Sequence, residues 1–239
     1  MRDTIFSKPL KESAPFEFNA QVADVFDNMI QRSVPGYNFL LDVIGLLAAR
    51  YGQSQSNCYD LGCSLGTMTL RLRQNLPALA HVIGVDNSPA MVSRCEHNMA
   101  RDHSQASYEI RQQNIQDTVI ENASMVILNF TLQFIEDTQR PSILKNIADG
   151  IRPGGVLLLA EKVCFNDPKQ QELQVDLYHD FKRHQGYSDL EIAQKRAALE
   201  NVLVPNTLEQ HRQRLLDAGF NRVETCMQCF NFCALLAFK

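Results

Sequence analysis

The residues of this chain best suited to chemistry lie in two short runs, Asp60-Leu61-Gly62-Cys63-Ser64-Leu65-Gly66 and Val85-Asp86-Asn87-Ser88. Gly62 carries no Cβ to hold a ligand away from the backbone, and Gly66 lets the chain turn. Asp86 follows Gly66 by twenty positions, a spacing at which a carboxylate on the next strand accepts hydrogen bonds from both hydroxyls of a ribose. A dinucleotide turn would need G-x-G-x-x-G, with its middle glycine admitting the pyrophosphate. Ser64 stands at that position, and no Lys-Ser/Thr follows to make a nucleotide P-loop. The pattern therefore points to adenosine without phosphates. The glycines alone would suit any tight strand-to-helix turn; Asp60 before them and Asp86 after them favour the ligand.

Those residues can act together only if a strand ends at each run. Asn57–Leu61 is a short apolar run before Gly62, and Thr67–Asn75 reads as the helix after the turn. His81–Asp86 is a β-branched strand, followed by Ser88 as helix cap and Pro89 at the first helical position. Ser107–Gln112 alternates weakly, and 124–130 (S-M-V-I-L-N-F) is apolar enough for burial on both faces. A helix around 142–151, the turn Arg152-Pro153-Gly154-Gly155 and a strand at 156–161 complete the alternation, with a helix at Tyr37–Tyr51 preceding it. Alternating strands and helices predict a parallel sheet covered on both faces. The segment 166–204 breaks the rhythm and reads as a helical insertion; a last helix begins at Thr207. The final strands, Arg222–Cys229 and Phe232–Phe238, are joined by too few residues for a crossover and must pair antiparallel.

Length and composition bound the function. The 239 residues, 45% of them apolar, fit one domain with its own core. With 23 Lys+Arg against 27 Asp+Glu, the net charge of −4 offers no global attraction to nucleic acid or anionic lipid. The N-terminal run Met1–Lys8 lacks the apolar stretch of a secretory signal, and no apolar run is long enough to span a bilayer. Seven cysteines, an odd number, suit buried thiols in a reducing compartment, so a cytoplasmic protein is expected.

The runs at Asp60–Gly66 and Val85-Asp86, with Asn114-Ile115 and Arg152–Gly155, resemble the class I S-adenosyl-L-methionine (SAM)-dependent methyltransferases. The resemblance implies an α/β, Rossmann-like seven-stranded sheet, mostly parallel with an antiparallel last strand. Residues 1–239 would form a single SAM-binding domain, with 166–204 a helical insertion before the last helix. Where such enzymes commonly place an acid against the adenine amino group, this chain has Asn114, whose amide oxygen accepts without charge.

A fuller resemblance, over nearly the whole chain, is to the carboxy-S-adenosyl-L-methionine synthases. It rests on 32–37 (R-S-V-P-G-Y), 59–66 (Y-D-L-G-C-S-L-G), 85–91 (V-D-N-S-P-A-M), 128–134 (L-N-F-T-L-Q-F), 179–183 (H-D-F-K-R) and 194–196 (Q-K-R). It implies transfer of a carboxyl group from prephenate to the SAM methyl group, giving carboxy-SAM and phenylpyruvate for tRNA wobble-uridine modification. It further implies a homodimer and a functional link to a tRNA-modifying carboxymethyl transferase, without direct nucleic-acid or membrane binding. The residues it places around SAM or carboxy-SAM are Tyr37, Gly62, Cys63, Ser64, Asp86, Asn87, Asn114, Ile115, Asn129 and Arg196. Tyr37 and Arg196 would serve catalysis, Arg196 gripping the new carboxylate, from the partner subunit in one reading. A conventional methyltransferase, a non-catalytic SAM-binding subunit of a tRNA-modifying complex and an NAD-linked dehydrogenase are the competing readings; Ser64 disfavours the last.

Without that resemblance, Tyr37 reads as a helix-start aromatic, and Gln194-Lys195-Arg196 as a solvated helix face. His179, Lys182 and Arg183 likewise read as a solvated basic spot. Cys226, Cys229 and Cys233 read as buried thiols rather than a metal site, since odd and even strand offsets face opposite ways. Cys63 has no neighbouring His to activate it and reads as packing. No metal is expected.

Overall fold

The computed structural model describes residues 1–9, 15–200 and 202–239. The chain runs α1 (Ala20–Ser33), α2 (Tyr37–Tyr51), β1 (Asn57–Leu61), α3 (Thr67–Asn75), β2 (His81–Asp86), α4 (Pro89–Met99), β3 (Ser107–Gln112) and β4 (Ala123–Asn129). It continues through α5 (Arg140–Gly150), β5 (Ile151–Cys164), α6 (Pro168–His184), α7 (Asp189–Leu199), β6 (Asn206–Thr207), α8 (Leu208–Asp217), β7 (Arg222–Cys229) and β8 (Phe232–Phe238). Strand order is β3-β2-β1-β4-β5-β8-β7, with the two-residue β6 pairing to β5 off this path. β1 to β5 are parallel neighbours, and β8 runs antiparallel to both β5 and β7.

The period-2 pattern of the central strands divides the core. Tyr59, Leu61, Val126, Leu128, Leu157 and Leu159 face α5 and α8, whereas Cys58, Met125, Ile127, Val156 and Leu158 face α2 and α3. A helix layer therefore covers each face, and the strands carry apolar side chains on both. The carboxyl ends of β1, β2 and β4 flank the point where the chain reverses its progress across the sheet, which is where such sheets bind ligands.

The expected strands and most helices stand where the sequence puts them, and two features differ. α1 was not anticipated. It is amphipathic, is capped by the Asn19 side chain accepting from Val22 N at 3.1 Å, and buries Val22, Val25 and Met29. β5 starts earlier than 156: Ile151 already pairs with Ala123. A register irregularity then accommodates Arg152–Gly155, with Gly154 at φ +77°. In the segment 166–204, α6 and α7 start at Asp167 and Ser188 caps, the latter a reciprocal capping box with Glu191.

Candidate functional site

The turn after β1 is held open by backbone geometry. Gly62 N and Cys63 N both donate to Val85 O, at 2.7 and 2.9 Å, so the turn lies across the end of β2. Gly62 sits at φ +85°, and a Cβ there would come within 2.3 Å of Thr131 Oγ1. The glycine is thus required by the close approach of Thr131, which lines the same cavity. Gly66, at φ +83°, begins α3, and a Cβ there would strike Cys95 Sγ at 2.6 Å.

Asp86 closes the turn. Its Oδ2 accepts from Ser64 N and its Oδ1 from Ser88 N, each at 2.9 Å. Each oxygen keeps a further lone pair, which a diol can use. Partial burial raises its pKa, opposed by those backbone N–H groups. Behind the turn Asp60 is buried, accepts from Thr69 Oγ1 at 2.7 Å, and is pushed up to about 6 by burial. Asp60 therefore braces α3 against β1 rather than facing a ligand.

Above this floor lies a cavity of about 360 Å³, within the range of small-molecule sites. Tyr37, Gly62, Cys63, Ser64, Asp86, Asn87, Ile115 and Asn129 all line it. Asn114 lies just outside the lining: its Oδ1 accepts from Asn87 Nδ2 at 3.2 Å and its Nδ2 donates to Asp117 at 3.2 Å. The amide is thereby oriented with its oxygen toward Asn87, with one lone pair still free to accept. Asn129 ends β4 with a buried Oδ1 that has no hydrogen-bond partner among the described residues. An orphaned acceptor in a cavity wall calls for a ligand donor such as an ammonium. Tyr37 is buried at the start of α2, and burial with Asp27 and Asp60 nearby raises its pKa. It stays a neutral phenol, able to donate a hydrogen bond and to offer a π face, and is not a base at neutral pH.

The roof comes from elements distant in sequence. Phe18 meets Phe16 and Phe134 edge to face, each at 5.2 Å between centroids, giving an aromatic wall suited to a flat base. The loop bearing Phe134 is fixed by buried Glu161, which accepts from Leu132 N at 2.9 Å and Gln133 N at 3.0 Å. Lys162 and Lys195 also line the cavity. Lys195 is buried, and its pKa is lowered to about 8 by burial.

The basic residues of the insertion correct the sequence expectation. Lys182 and Lys195 do not lie on solvated faces: they are 5% and 7% exposed. Tyr178 lies one helical turn before Lys182, whose ammonium rests 4.8 Å from that ring, while Lys195 packs against α1. Arg183 alone of that spot is a surface cation, paired with Asp180 and Asp189. Arg196 is exposed and does not line the large cavity. It lines a neighbouring one of about 230 Å³ that shares Lys162, Tyr178, Leu199 and Leu203 with the first.

Cys63 and Cys95 lie 3.9 Å apart, buried, and their mutual contact, with burial, holds Cys63 well above an ordinary thiol. It is a packing thiol, unsuited to nucleophilic work. In β7 a bulge between Thr225 and Met227 breaks the strict alternation, and Cys226 is exposed rather than buried. Among the described residues no three His, Cys, Asp or Glu side chains converge as a metal site, and no helix is long and apolar enough to cross a membrane.

Sequence reasoning missed Lys162, Tyr178 and the Phe16/Phe18/Phe134 wall. Lys162 did carry a signal: Glu161-Lys162 puts two charges directly after the apolar run 156–160, at the ligand end of a buried strand.

A methyltransferase-domain family model matches residues 59–155. Among solved structures, the magnesium protoporphyrin IX methyltransferase of Synechocystis PCC 6803 superposes with a TM-score of 0.59 at 18% identity, covering 88% of this chain and 86% of that one. Human N-acetylserotonin methyltransferase does so with a TM-score of 0.60 at 17% identity, over 92% and 55%. These share the fold. The carboxy-S-adenosyl-L-methionine synthase of Citrifermentans bemidjiense is 53% identical over 99% of this chain and 98% of its own. That of Hahella chejuensis is 52% identical over 100% and 98%. With half of all positions shared from end to end, the chain belongs to the carboxy-S-adenosyl-L-methionine synthase family.

Proposed function

We propose that this protein transfers the carboxyl group of prephenate to the methyl group of SAM, yielding carboxy-SAM and phenylpyruvate. The observation that carries this reading beyond family membership is the pair of lysines, Lys162 and Lys195, in the wall of a cavity shaped for a cationic nucleoside. Two ammonium groups, that of Lys195 buried and that of Lys162 half-buried, would repel a sulfonium unless a negative group lay between them. A carboxylate, arriving or newly installed, supplies that charge.

The residues fit the ligand. Asp86 takes the ribose hydroxyls, the phenylalanines flank the adenine, Asn114 accepts from its amino group, and the orphaned Asn129 oxygen takes the ammonium of the methionine part. When bound, the sulfonium acidifies its methyl C–H bonds; prephenate aromatisation releases CO2 for that carbon and a hydroxide that takes the proton, leaving water. No protein base is needed, which agrees with a Tyr37 held neutral. The chain's own work is positioning, electrostatics and exclusion of water that would disperse the CO2. Arg196 is assigned to the new carboxylate, reached through the smaller cavity or from a second subunit of a homodimer. Supply of carboxy-SAM to a tRNA-modifying carboxymethyl transferase follows from the product's chemistry and makes a cytoplasmic location the natural one.

The test is incubation of pure protein with SAM and prephenate, read by mass spectrometry. Phenylpyruvate together with a SAM adduct heavier by CO2 supports the proposal. S-adenosylhomocysteine formed in proportion to a methylated acceptor, with prephenate irrelevant, would replace it with conventional methyl transfer.

A further inference from the structure

The smaller cavity is walled by the end of β5, by α6 and by α7, and it gathers Lys162, His179, Lys182 and Arg196 around about 230 Å³. Lys162 and Lys182 lie on the same Tyr178 ring, 5.1 and 4.8 Å from its centroid. Among the described residues, the side chains of Lys162, Lys182 and Arg196 make no ion pair or hydrogen bond. The one acid in the lining, Glu200, is exposed. Lys182 is buried and Lys162 and His179 are half-buried, with the exposed Arg196 at the rim; cations gathered in this way raise one another's energy, and an anion among them relieves it. Burial, and after it the neighbouring cations, lower the pKa values of Lys162, Lys182 and His179. Beside the polar Gln171 and Asn231, the wall has an apolar and aromatic side of Val175, Tyr178, Leu199 and Leu203, which suits a carbocycle rather than a bare inorganic ion.

We propose that this cavity is the docking site of the carboxyl donor, a small cyclic dicarboxylate, with one carboxylate at Lys182 and the other at Lys162 on the wall shared with the nucleoside cavity. The inference rests on the carboxyl-transfer reading above and adds to it the place and the residues of donor binding. Tyr178 and Lys162 belong to both cavities, so a donor here abuts the SAM site without displacing it. Donor and nucleoside then bind side by side, as a transfer without release of CO2 to solvent requires.

The test compares Lys182→Met and Lys162→Met with the unaltered protein; methionine retains the length and packing of the lysine stem. With SAM saturating, each variant should raise the KM for prephenate about tenfold or more, the loss of a charge-assisted pair. SAM affinity by calorimetry should be unchanged in Lys182→Met and no weaker in Lys162→Met, which also reports that both are folded. If the unaltered protein makes no phenylpyruvate, the carboxyl-transfer reading falls and takes this inference with it. If the unaltered protein turns over but the variants keep its prephenate KM, or lose SAM and prephenate affinity in parallel, this inference alone is overturned.

Discussion

Lys195 Nζ lies 2.9 Å from Ser33 Oγ, joining α7 to α1 across 162 positions of chain. The contact belongs to a buried polar seam: Ser33 also meets Tyr187 Oη at 3.4 Å, Tyr187 donates to Asp3 at 2.6 Å, and Arg32 stacks 3.9 Å over the Tyr187 ring. Arg32 Nε further donates to Gln185 O at 2.9 Å. The insertion is therefore clamped to the N-terminal segment, and both close the site from above. Lys195→Met removes a buried charge with its burial cost, so the melting temperature should hold or rise at neutral pH. Affinity for carboxy-SAM should fall, because a cation leaves the cavity wall. Thermal scans beside calorimetry would separate the two; a parallel loss of both would make Lys195 a purely structural residue.

The depressed Lys182 pKa makes donor binding pH-dependent. Burial, with Lys195, Lys162 and Arg196 repelling and Asp3 attracting, brings it from 10.5 to about 7. Between those values the unfolded chain binds a proton that the folded one lacks, so this group's contribution makes stability rise with pH across that window. Anion binding runs the other way, since it needs the protonated ammonium. The KM for prephenate should climb above pH 7, by up to about tenfold per pH unit. Lys182→Arg should flatten the profile, because a guanidinium stays charged.

Gly62→Ala tests the turn through its contact with Thr131. Its Cβ would have to displace Thr131, at a φ that L-residues adopt with strain. A loss of about 1–3 kcal/mol is expected, read as a lower denaturant midpoint, with SAM affinity falling as the turn shifts.

Asp86→Ala leaves Ser64 N and Ser88 N without their acceptor and removes the carboxylate proposed to hold the ribose. SAM binding should weaken by about 1.5–3 kcal/mol. Deoxyribose analogues of SAM should lose far less affinity on mutation than SAM itself; equal losses would place the ribose elsewhere.

Arg196→Ala should discriminate between ligands. If the guanidinium grips the added carboxylate, carboxy-SAM weakens by about 2 kcal/mol more than SAM. Equal effects on both would remove Arg196 from that role.

The sheet was legible because its central strands are apolar on both faces and bounded by glycine, proline or caps, as at Gly62 and at Ser88-Pro89. Each signal is local, and so are the Gly62–Gly66 turn and Asp86. α1 has the same kind of signal, with Val22, Val25 and Met29 on one face behind an Asn19 cap, but no strand follows it to mark its place in the alternation. The burial of Lys182 and Lys195 was not legible. A lysine in a polar helix reads as solvated until the helix packing over it is known, and here the coverage comes from Tyr178, Ser33 and the N-terminal segment. The smaller cavity is likewise a product of tertiary packing: β5, α6 and α7 supply its cations from separate stretches of chain.

The clamp between the first residues and the insertion bears on the order in which the molecule is assembled during translation. Every strand that shapes the nucleoside floor has been synthesised once residue 130 is made. Asp3 must then wait for Tyr187, and Phe16 for Ala198, whose carbonyl its amide meets at 3.0 Å. Such distant pairings form late, since long loops must close before any contact rewards them. The floor is thus made before its cover, and substrate can be enclosed only after the N-terminal segment has met the insertion.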